Sequence, residues 1–401
     1  MMATITLYPT NWLYNASVIG FLEVIAFGEG STVVEKWLKD DGSVEIDSRV
    51  FDSVQIGSRG FPISLKYYVE YLTQNEDENE IKNRNRYENR YSDLTAVLGD
   101  WGYRYARAMN KLFATNKPCQ NLIQREDWQT FSFPDFVSSI PSVINRSANS
   151  ICGVCSNYSS DVNFPYLSEK TIRRLKQFSE MHIHSLSLGP SRGEFPNAFW
   201  NMSHSFTICP LCTYLITHHY IPFVSIKDGD IFINHSSFKV MWYLNKFVKN
   251  VLGKSNAYKL DQILGLTLLE FAQKVFMTLG IWSIMNIEMV IKKKDAIDYY
   301  SLPLYVTKVL LNKKVANLLS DIGEPIIFEM VISGNFDSLV ELNHEVLKSV
   351  FDDNFERNKK RYKYVSRLKN TNKRNMQKIS AILPELYAQI DSILKLREVK
   401  I

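Results

Sequence analysis

Cys152-Gly153-Val154-Cys155 and Cys209-Pro210-Leu211-Cys212 are the two stretches on which the reading of this chain turns. Each puts two thiols on one tight loop, and the glycine of the first and the proline of the second suit such a turn. Together they offer four sulfurs, the set that tetrahedral zinc accepts at about 2.3 Å per sulfur. The spacing therefore predicts one structural Zn2+ ion on Cys152, Cys155, Cys209 and Cys212, with no open position for water or substrate. A thioredoxin-like redox pair is the rival reading of either motif alone, but it needs a βαβ setting and leaves the second pair unexplained. His204, His218 and His219 lie near the second pair and offer substitute ligands. Cys119 stands apart and is read as inert.

The 53 residues between the two pairs exceed the usual spacing of a zinc ribbon, so Ser156 to Ile208 is expected to fold as an excursion of its own. Upstream, Tyr8-Pro9-Thr10-Asn11 followed by Trp12, Leu13, Ala16, Ile19 and Leu22 predicts a helix with an apolar face, capped by Thr10 or Asn11. Asp41-Gly42 between Trp37-Leu38 and Val44-Glu45-Ile46 reads as a hairpin turn, as does Lys227-Asp228-Gly229-Asp230 between two apolar runs. Gln74 to Arg90, polar and charged, reads as a surface loop or solvated helix. From about Ser236 onward the pattern predicts helix after helix, through Pro303 to Leu319, Leu339 to Phe351 and Phe355 to Leu396. The fold class expected is α+β. A mixed domain over 1–137 precedes a zinc-stapled module with a long insertion over 138–235, and an α-helical bundle over 236–401 follows.

At 401 residues, 45% hydrophobic and 22% charged, the chain has the balance of a folded globular protein. The apolar stretch from Leu260 to Ile291 is interrupted by Asp261, Glu270, Lys274 and Glu288, which favours a buried helix over a membrane span. The first residues show no secretory pattern, so a prokaryotic cytoplasmic location is expected.

The net charge of +5 is unevenly spread. Arg357, Lys359, Lys360, Arg361, Lys363, Arg367, Lys369, Lys373, Arg374 and Lys378 form a run without a single Asp or Glu, and without those ten the chain holds 37 basic residues against 42 acidic. Drawn as one helix, Tyr362, Val365, Leu368, Met376 and Ile379 share one face and leave the other positive. A solvated face usually mixes signs, so a nucleic-acid backbone is the expected partner. Tyr362 and Tyr364 are candidates for stacking on bases, or for packing.

Catalytic patterns are missing. Gly253-Lys254-Ser255 resembles the end of a phosphate loop, but Val248 stands where that motif starts with glycine. No nucleophile elbow or paired-histidine zinc-protease motif occurs. A non-catalytic protein is expected.

The chain resembles the large subunit of type I-B CRISPR Cascade, the Cas-eight group known for its CXXC and CXXC motifs. The resemblance rests on Leu7-Tyr8-Pro9-Thr10-Asn11-Trp12-Leu13-Tyr14-Asn15, Gly20-Phe21-Leu22, Asp41 to Ile46, the two cysteine pairs, and Asn197-Ala198-Phe199-Trp200-Asn201. It implies a subunit at the foot of a CRISPR RNA-guided complex, beside the backbone subunits. Such a subunit probes target duplex for the protospacer-adjacent motif, helps open it, holds the displaced strand, and recruits a helicase-nuclease or transposition module. Asn11, Asn15, Arg192 and Asn197 are candidates for reading the motif. A small subunit from the same gene is also implied, and Met277, Met285 and Met289, just before Lys292-Lys293-Lys294, offer starts for it. The alternative is a stand-alone zinc-containing nucleic-acid-binding or regulatory protein; a metal-dependent nuclease is a third.

Overall fold

The computed structural model describes residues 4–76, 92–120, 122–146, 151–161, 163–176, 208–226, 229–252, 287–293, 297–301, 303–310 and 312–395. The chain is mixed helix and strand, with a helical C-terminal region. It divides into two compact units, the first comprising Met1–Ser225, Gly229–Trp242 and Val290–Asp298, the second Ile226–Asp228, Tyr243–Met289 and Tyr299–Ile401.

The first unit is built around one helix. Strand β1 (Thr4–Leu7) leads to α1 (Trp12–Glu29), whose N-cap is Asn11, with its side chain accepting the Tyr14 N–H. The helix stops at Gly30, whose φ of +93° few other residues adopt and whose N–H returns to the Ala26 carbonyl. The single apolar face expected for α1 is corrected. Residues 12–22 are all buried, so the helix is covered on every side and its pattern is apolar all round rather than striped. Gly20 allows one of these contacts, since a Cβ there would stand 2.1 Å from the His218 carbonyl oxygen.

Helix α2 (Ser31–Trp37) and β2 (Val44–Asp47) follow. The hairpin expected about Asp41-Gly42 is corrected too. Trp37 closes a helix, Leu38 makes only one bridge to Val44, and β2 takes β1 as its antiparallel partner, from Thr4 opposite Asp47 to Leu7 opposite Val44. The turn itself is present: Gly42 has φ +88°, and the Asp41 carboxylate accepts the Ser43 N–H at 2.9 Å and its hydroxyl at 2.6 Å. A true hairpin joins β3 (Ser53–Ile56) to β4 (Arg59–Pro62) through Gly57-Ser58.

Helices α3 (Ile63–Thr73), α4 (Ser92–Leu98), α5 (Asp100–Phe113), α6 (Arg125–Trp128), α7 (Ser132–Val143), α8 (Glu169–Lys176) and α9 (Pro210–Leu215) follow among the described residues. Of Gln74 to Arg90, only the first three residues lie among those described, and the expectation for the rest lies outside them. Strands β5 (Val224–Ile226) and β6 (Gly229–Asn234) are neighbours, as the second hairpin reading expects, and precede α10 (Phe238–Leu252). With β7 (Glu288–Lys292) and β8 (Ile297–Ser301) they form a four-stranded sheet in the order β5-β6-β7-β8. The uninterrupted helical run expected from Ser236 is corrected by these two strands. Met289, Val290 and Ile291 are buried in a row, so their apolarity is that of an inner strand, which periodicity alone does not separate from a helix.

The second unit is helical over 303–395: α11 (Leu304–Leu310), α12 (Lys313–Ile322), α13 (Pro325–Ile332), α14 (Asp337–Phe351), α15 (Phe355–Asn358) and α16 (Lys373–Lys395). Helix α14 lies along α16, and α11 and α12 also pack on α16, around Leu342, Val346, Ile379, Leu383 and Leu386. The helix expected from Pro303 to Leu319 is two helices, because the Asn312 side chain accepts the N–H groups of Lys314 and Val315 and starts a new one there. No helix among the described residues is long and apolar enough to cross a membrane.

Candidate metal centre and basic segment

The first cysteine loop is fastened to the start of the chain. Thr10 donates its hydroxyl to the Val154 carbonyl at 3.1 Å, and the Asn11 amide donates to the same oxygen at 3.0 Å. Just beyond the loop, Asn157 and the Tyr158 hydroxyl both donate to the Thr6 carbonyl at 3.1 Å. The loop closes on itself through Cys152 N–H to Tyr158 O at 2.8 Å and Ser156 N–H to Cys152 O at 2.9 Å. Ser156, directly after the second cysteine, has φ +53°. The second loop is a helix start, with Cys209 the N-cap of α9, Pro210 in its first turn, and the Cys209 sulfur accepting the Cys212 N–H at 3.4 Å.

These supports bring the four cysteines together. Their Sγ atoms all lie within 4.8 Å of one another, and the Cys155 and Cys209 sulfurs are 3.9 Å apart. Tetrahedral zinc with bonds of about 2.3 Å needs sulfurs roughly 3.8 Å apart. All four are buried and none is in a disulfide. The Cys152 sulfur accepts the N–H groups of Val154 at 3.4 Å and Cys209 at 3.3 Å. Burial pushes the Cys209 and Cys212 thiols up, as do the Cys152 and Cys155 sulfurs. Burial acts the same way on Cys152, but hydrogen bonds from Cys155, Cys209 and Cys212 outweigh it and hold that thiol well below the usual range. The cluster thus favours one thiolate by itself, and four buried thiolates need a cation. Donor type, spacing and burial fit a bound metal ion.

The substitute ligands do not enter the cluster. His218 is buried against Tyr68, ring centroids 4.0 Å apart, and burial lowers its pKa to about 3. His219 is buried with Nδ1 2.9 Å from the Ile216 carbonyl oxygen. His204 lies outside the described residues. Cys119 is fully buried, donates toward the Thr217 carbonyl at 3.5 Å, and has its thiol pushed far up by burial, which makes it unreactive.

Of the motif-reading candidates, Arg192 and Asn197 lie outside the described residues. Asn11 serves α1 and the cysteine loop, as above. Asn15 is 1% exposed; its oxygen accepts the Thr10 N–H at 2.9 Å and its nitrogen donates to Asn234 at 2.8 Å. Asn11 thus holds the first cysteine loop, and Asn15 holds Thr10 and Asn234.

The basic segment is not the single helix expected. Helix α15 gives way to short 3-10 turns at Lys359–Arg361 and Val365–Arg367, and α16 begins only at Lys373. Two carboxylates that sequence reasoning missed take the place of helical hydrogen bonds. Glu345 accepts the main-chain N–H groups of Lys363 at 3.0 Å, Tyr364 at 2.7 Å and Val365 at 3.1 Å. Glu324 accepts those of Lys369 at 2.8 Å and Asn370 at 3.4 Å. Val365, Leu368, Met376 and Ile379 are buried as expected, and Tyr364 packs inward with its hydroxyl on Glu341 at 3.0 Å.

Several of the ten cations are internally engaged: Arg367 pairs with Glu329 at 3.0 Å, Lys363 lies 4.0 Å from Glu341, Lys359 donates to Thr371 and Lys378 to the Asp321 carbonyl. Arg361 acts weakly on the Asp352 carboxylate, whose pKa is lowered chiefly by the Asn354 N–H. Arg357, Lys360, Lys369, Lys373 and Arg374 are exposed, and their side chains have no partner among the described residues.

Asp127 was also missed. Buried at 2% exposure, it accepts the Ser168 N–H at 2.8 Å, the Ser168 hydroxyl at 2.9 Å and the Thr171 hydroxyl, and so anchors the start of α8. Ser168 is also where the likeness to known proteins begins. Residues 168–225 match the family model described as CRISPR-associated protein (Cas_CXXC_CXXC), a segment that includes the second cysteine pair but not the first. No curated protein and no solved structure matches the chain. The geometry supplies what the matched segment lacks, bringing Cys152 and Cys155 to Cys209 and Cys212, and the match supports a CRISPR-associated protein of this family.

Proposed function

We propose that the chain is the non-catalytic large subunit of a type I-B CRISPR RNA-guided complex and that its four cysteines hold a structural Zn2+ ion. One observation carries the reading: the family segment 168–225 contributes two of the four sulfurs of a buried cluster that the rest of the first unit completes. Four protein thiolates fill a tetrahedral zinc ion, so the metal acts by fixing chain geometry and supplies no site for a reacting water. Thr10 and Asn11 orient the first cysteine loop, and the Val154 and Cys209 N–H groups offset charge on the Cys152 sulfur.

In this reading the first unit, with its zinc-fixed loops, recognises the protospacer-adjacent motif in duplex DNA, while base pairing with the guide supplies the remaining sequence information. The exposed cations between Arg357 and Arg374 hold the displaced strand through its phosphates. The partners are the CRISPR RNA, the backbone and foot subunits, a small subunit made from the same gene, and a helicase-nuclease or transposition module. Of the candidate starts, Met289 is buried in β7, and Met277 and Met285 lie outside the described residues.

Purification from a host carrying the neighbouring genes tests this directly. A tagged chain should bring down a CRISPR RNA and several distinct proteins in fixed ratio. Recovery as a lone chain or a symmetric dimer, without RNA, would contradict it and favour a stand-alone regulator. Magnesium-dependent cleavage by the isolated chain would contradict its non-catalytic character.

A further inference from the structure

Phe164-Pro165-Tyr166-Leu167 leads into α8 and places an aromatic ring where folding alone does not call for one. Pro165 and Tyr166 form a turn, and Tyr166 has φ +70°. After a proline in a turn, a positive φ is ordinarily met by glycine or asparagine, because a Cβ crowds the backbone there. The turn is nonetheless pinned on both sides. Phe164 is 1% exposed and stacks on Phe136 with ring centroids 6.1 Å apart, Leu167 is buried, and Ser168 is held by the buried Asp127 carboxylate. Tyr166 between them is 60% exposed, so its ring adds little to the core. A bulky residue kept in a strained and exposed position points to a use for the side chain outside the fold.

A row of cations starts four residues later. Lys170, Arg173 and Lys176 recur at every third position of α8, all are exposed, and their side chains have no partner among the described residues. Thr171 and Leu175 turn the other side of the helix inward. The three cations line one surface depression together with Ile172, Glu126 and Glu169. Lys170 to Lys176 spans about 9 Å of helix, and the chain places Tyr166 within about 14 Å of Lys170. Three cations against two carboxylates leave the depression mildly positive, which suits a few phosphates of one strand better than the denser charge of a duplex. An exposed ring beside a short row of cations is the pairing that holds unpaired nucleotides, with the base on the ring and the phosphates on the cations.

We propose that Tyr166 and the cations of α8 form a contact for an unpaired stretch of nucleic acid, the ring stacking on a base while Lys170, Arg173 and Lys176 hold the neighbouring phosphates. This rests on the reading of the chain as a nucleic-acid-holding subunit and adds a single-strand contact on the first unit. The pinned turn presents the ring in a fixed orientation, so stacking costs little further order.

The test measures binding of the full chain to single-stranded oligothymidylate, to oligouridylate and to a fully paired DNA duplex. Lys360→Gln, Lys373→Gln and Arg374→Gln are kept in place throughout, so that the basic segment does not mask the result. Tyr166→Gly should melt no lower than this background, since glycine relieves the turn, and should bind single strands on the order of tenfold more weakly with duplex affinity unchanged. Tyr166→Phe, which keeps a ring, should bind as the background does. Replacing Lys170, Arg173 and Lys176 by Gln should flatten the slope of log K against log salt by about 2. Loss on thymidylate alone assigns the contact to target DNA, loss on uridylate alone to the guide, and loss on both to an unpaired stretch of either; each supports the proposal. Tyr166→Gly with natural single-strand affinity, with an equal loss on duplex, or with a lowered melting temperature would overturn it and leave the basic segment's role untouched. Absence of oligonucleotide binding by the unsubstituted chain would overturn it together with the nucleic-acid-holding reading.

Discussion

Asn11 donates its side-chain amide to the Val154 carbonyl at 3.0 Å while the oxygen of the same amide accepts the Tyr14 N–H at 2.9 Å. One residue thus starts the central helix of the first unit and fixes the turn of a cysteine loop 143 positions away. The two roles are separable by substitution. Asn11→Asp keeps a good helix cap but replaces the donor by a second acceptor facing a carbonyl. It should retain stability within about 0.5 kcal/mol of the cap's contribution, yet release metal to a chelator several-fold faster. Asn11→Ala should lose both, with about 1–2 kcal/mol of stability by denaturant titration. Equal metal release from the two variants and the natural chain would refute the loop-holding role.

The buried His218 makes the first unit sensitive to acid. Its folded pKa of about 3 lies below the usual value of 6.5 because burial disfavours the imidazolium. Between these values the unfolded chain binds a proton that the folded one does not. Its contribution is therefore complete above about pH 6.5 and falls with pH by about 1.4 kcal/mol per unit toward pH 3. His218→Phe keeps a ring against Tyr68 and removes the titration. Urea midpoints between pH 7 and pH 5, compared for the two chains, should show a smaller slope in the variant. Parallel slopes would mean that His218 is protonated in the fold.

Glu345 carries the basic segment by accepting three consecutive main-chain N–H groups. Glu345→Gln weakens all three acceptor contacts and turns part of the group into a donor, at a cost of about 2 kcal/mol. Amide hydrogen exchange at Lys363, Tyr364 and Val365 should accelerate on the order of tenfold or more, with exchange in the middle of α16 unchanged. Uniform acceleration along α16 would show that the carboxylate supports the whole bundle instead.

Contact with phosphates predicts a dependence on salt. For about five phosphates held, log K should fall with log salt at a slope of about −4. Replacing Lys360, Lys373 and Arg374 by Gln, all exposed and without a partner among the described residues, should flatten the slope by about 2. Arg367→Gln, already paired with Glu329, should change it by less than one. A triple variant with the natural slope and affinity would reduce these residues to a solvated surface.

Local chemistry was legible in the sequence, and distant partnership was not. The cysteine pairs and the Asn11 cap can be read because their spacing is fixed by neighbouring residues. Val44 to Asp47 was recognisable as a strand, but its partner is Thr4–Leu7 rather than the residues across Asp41-Gly42, and two-residue turn signals do not reveal that. The Arg357 to Lys378 run holds no acid of its own, and a helix was a fair reading of its apolar spacing. Glu324, Glu329, Glu341 and Glu345 reach it from α12–α14 and the turn between them, so its counter-charges and its broken course were visible only in three dimensions.

The most direct test of the account is the metal content of the reduced chain purified without chelator, by elemental analysis and native mass spectrometry. One zinc per chain is expected, bound by Cys152, Cys155, Cys209 and Cys212, and Cys209→Ser should lose it together with the protease resistance of the first unit. Metal-free protein with all four thiols reduced and the first unit still folded would contradict it.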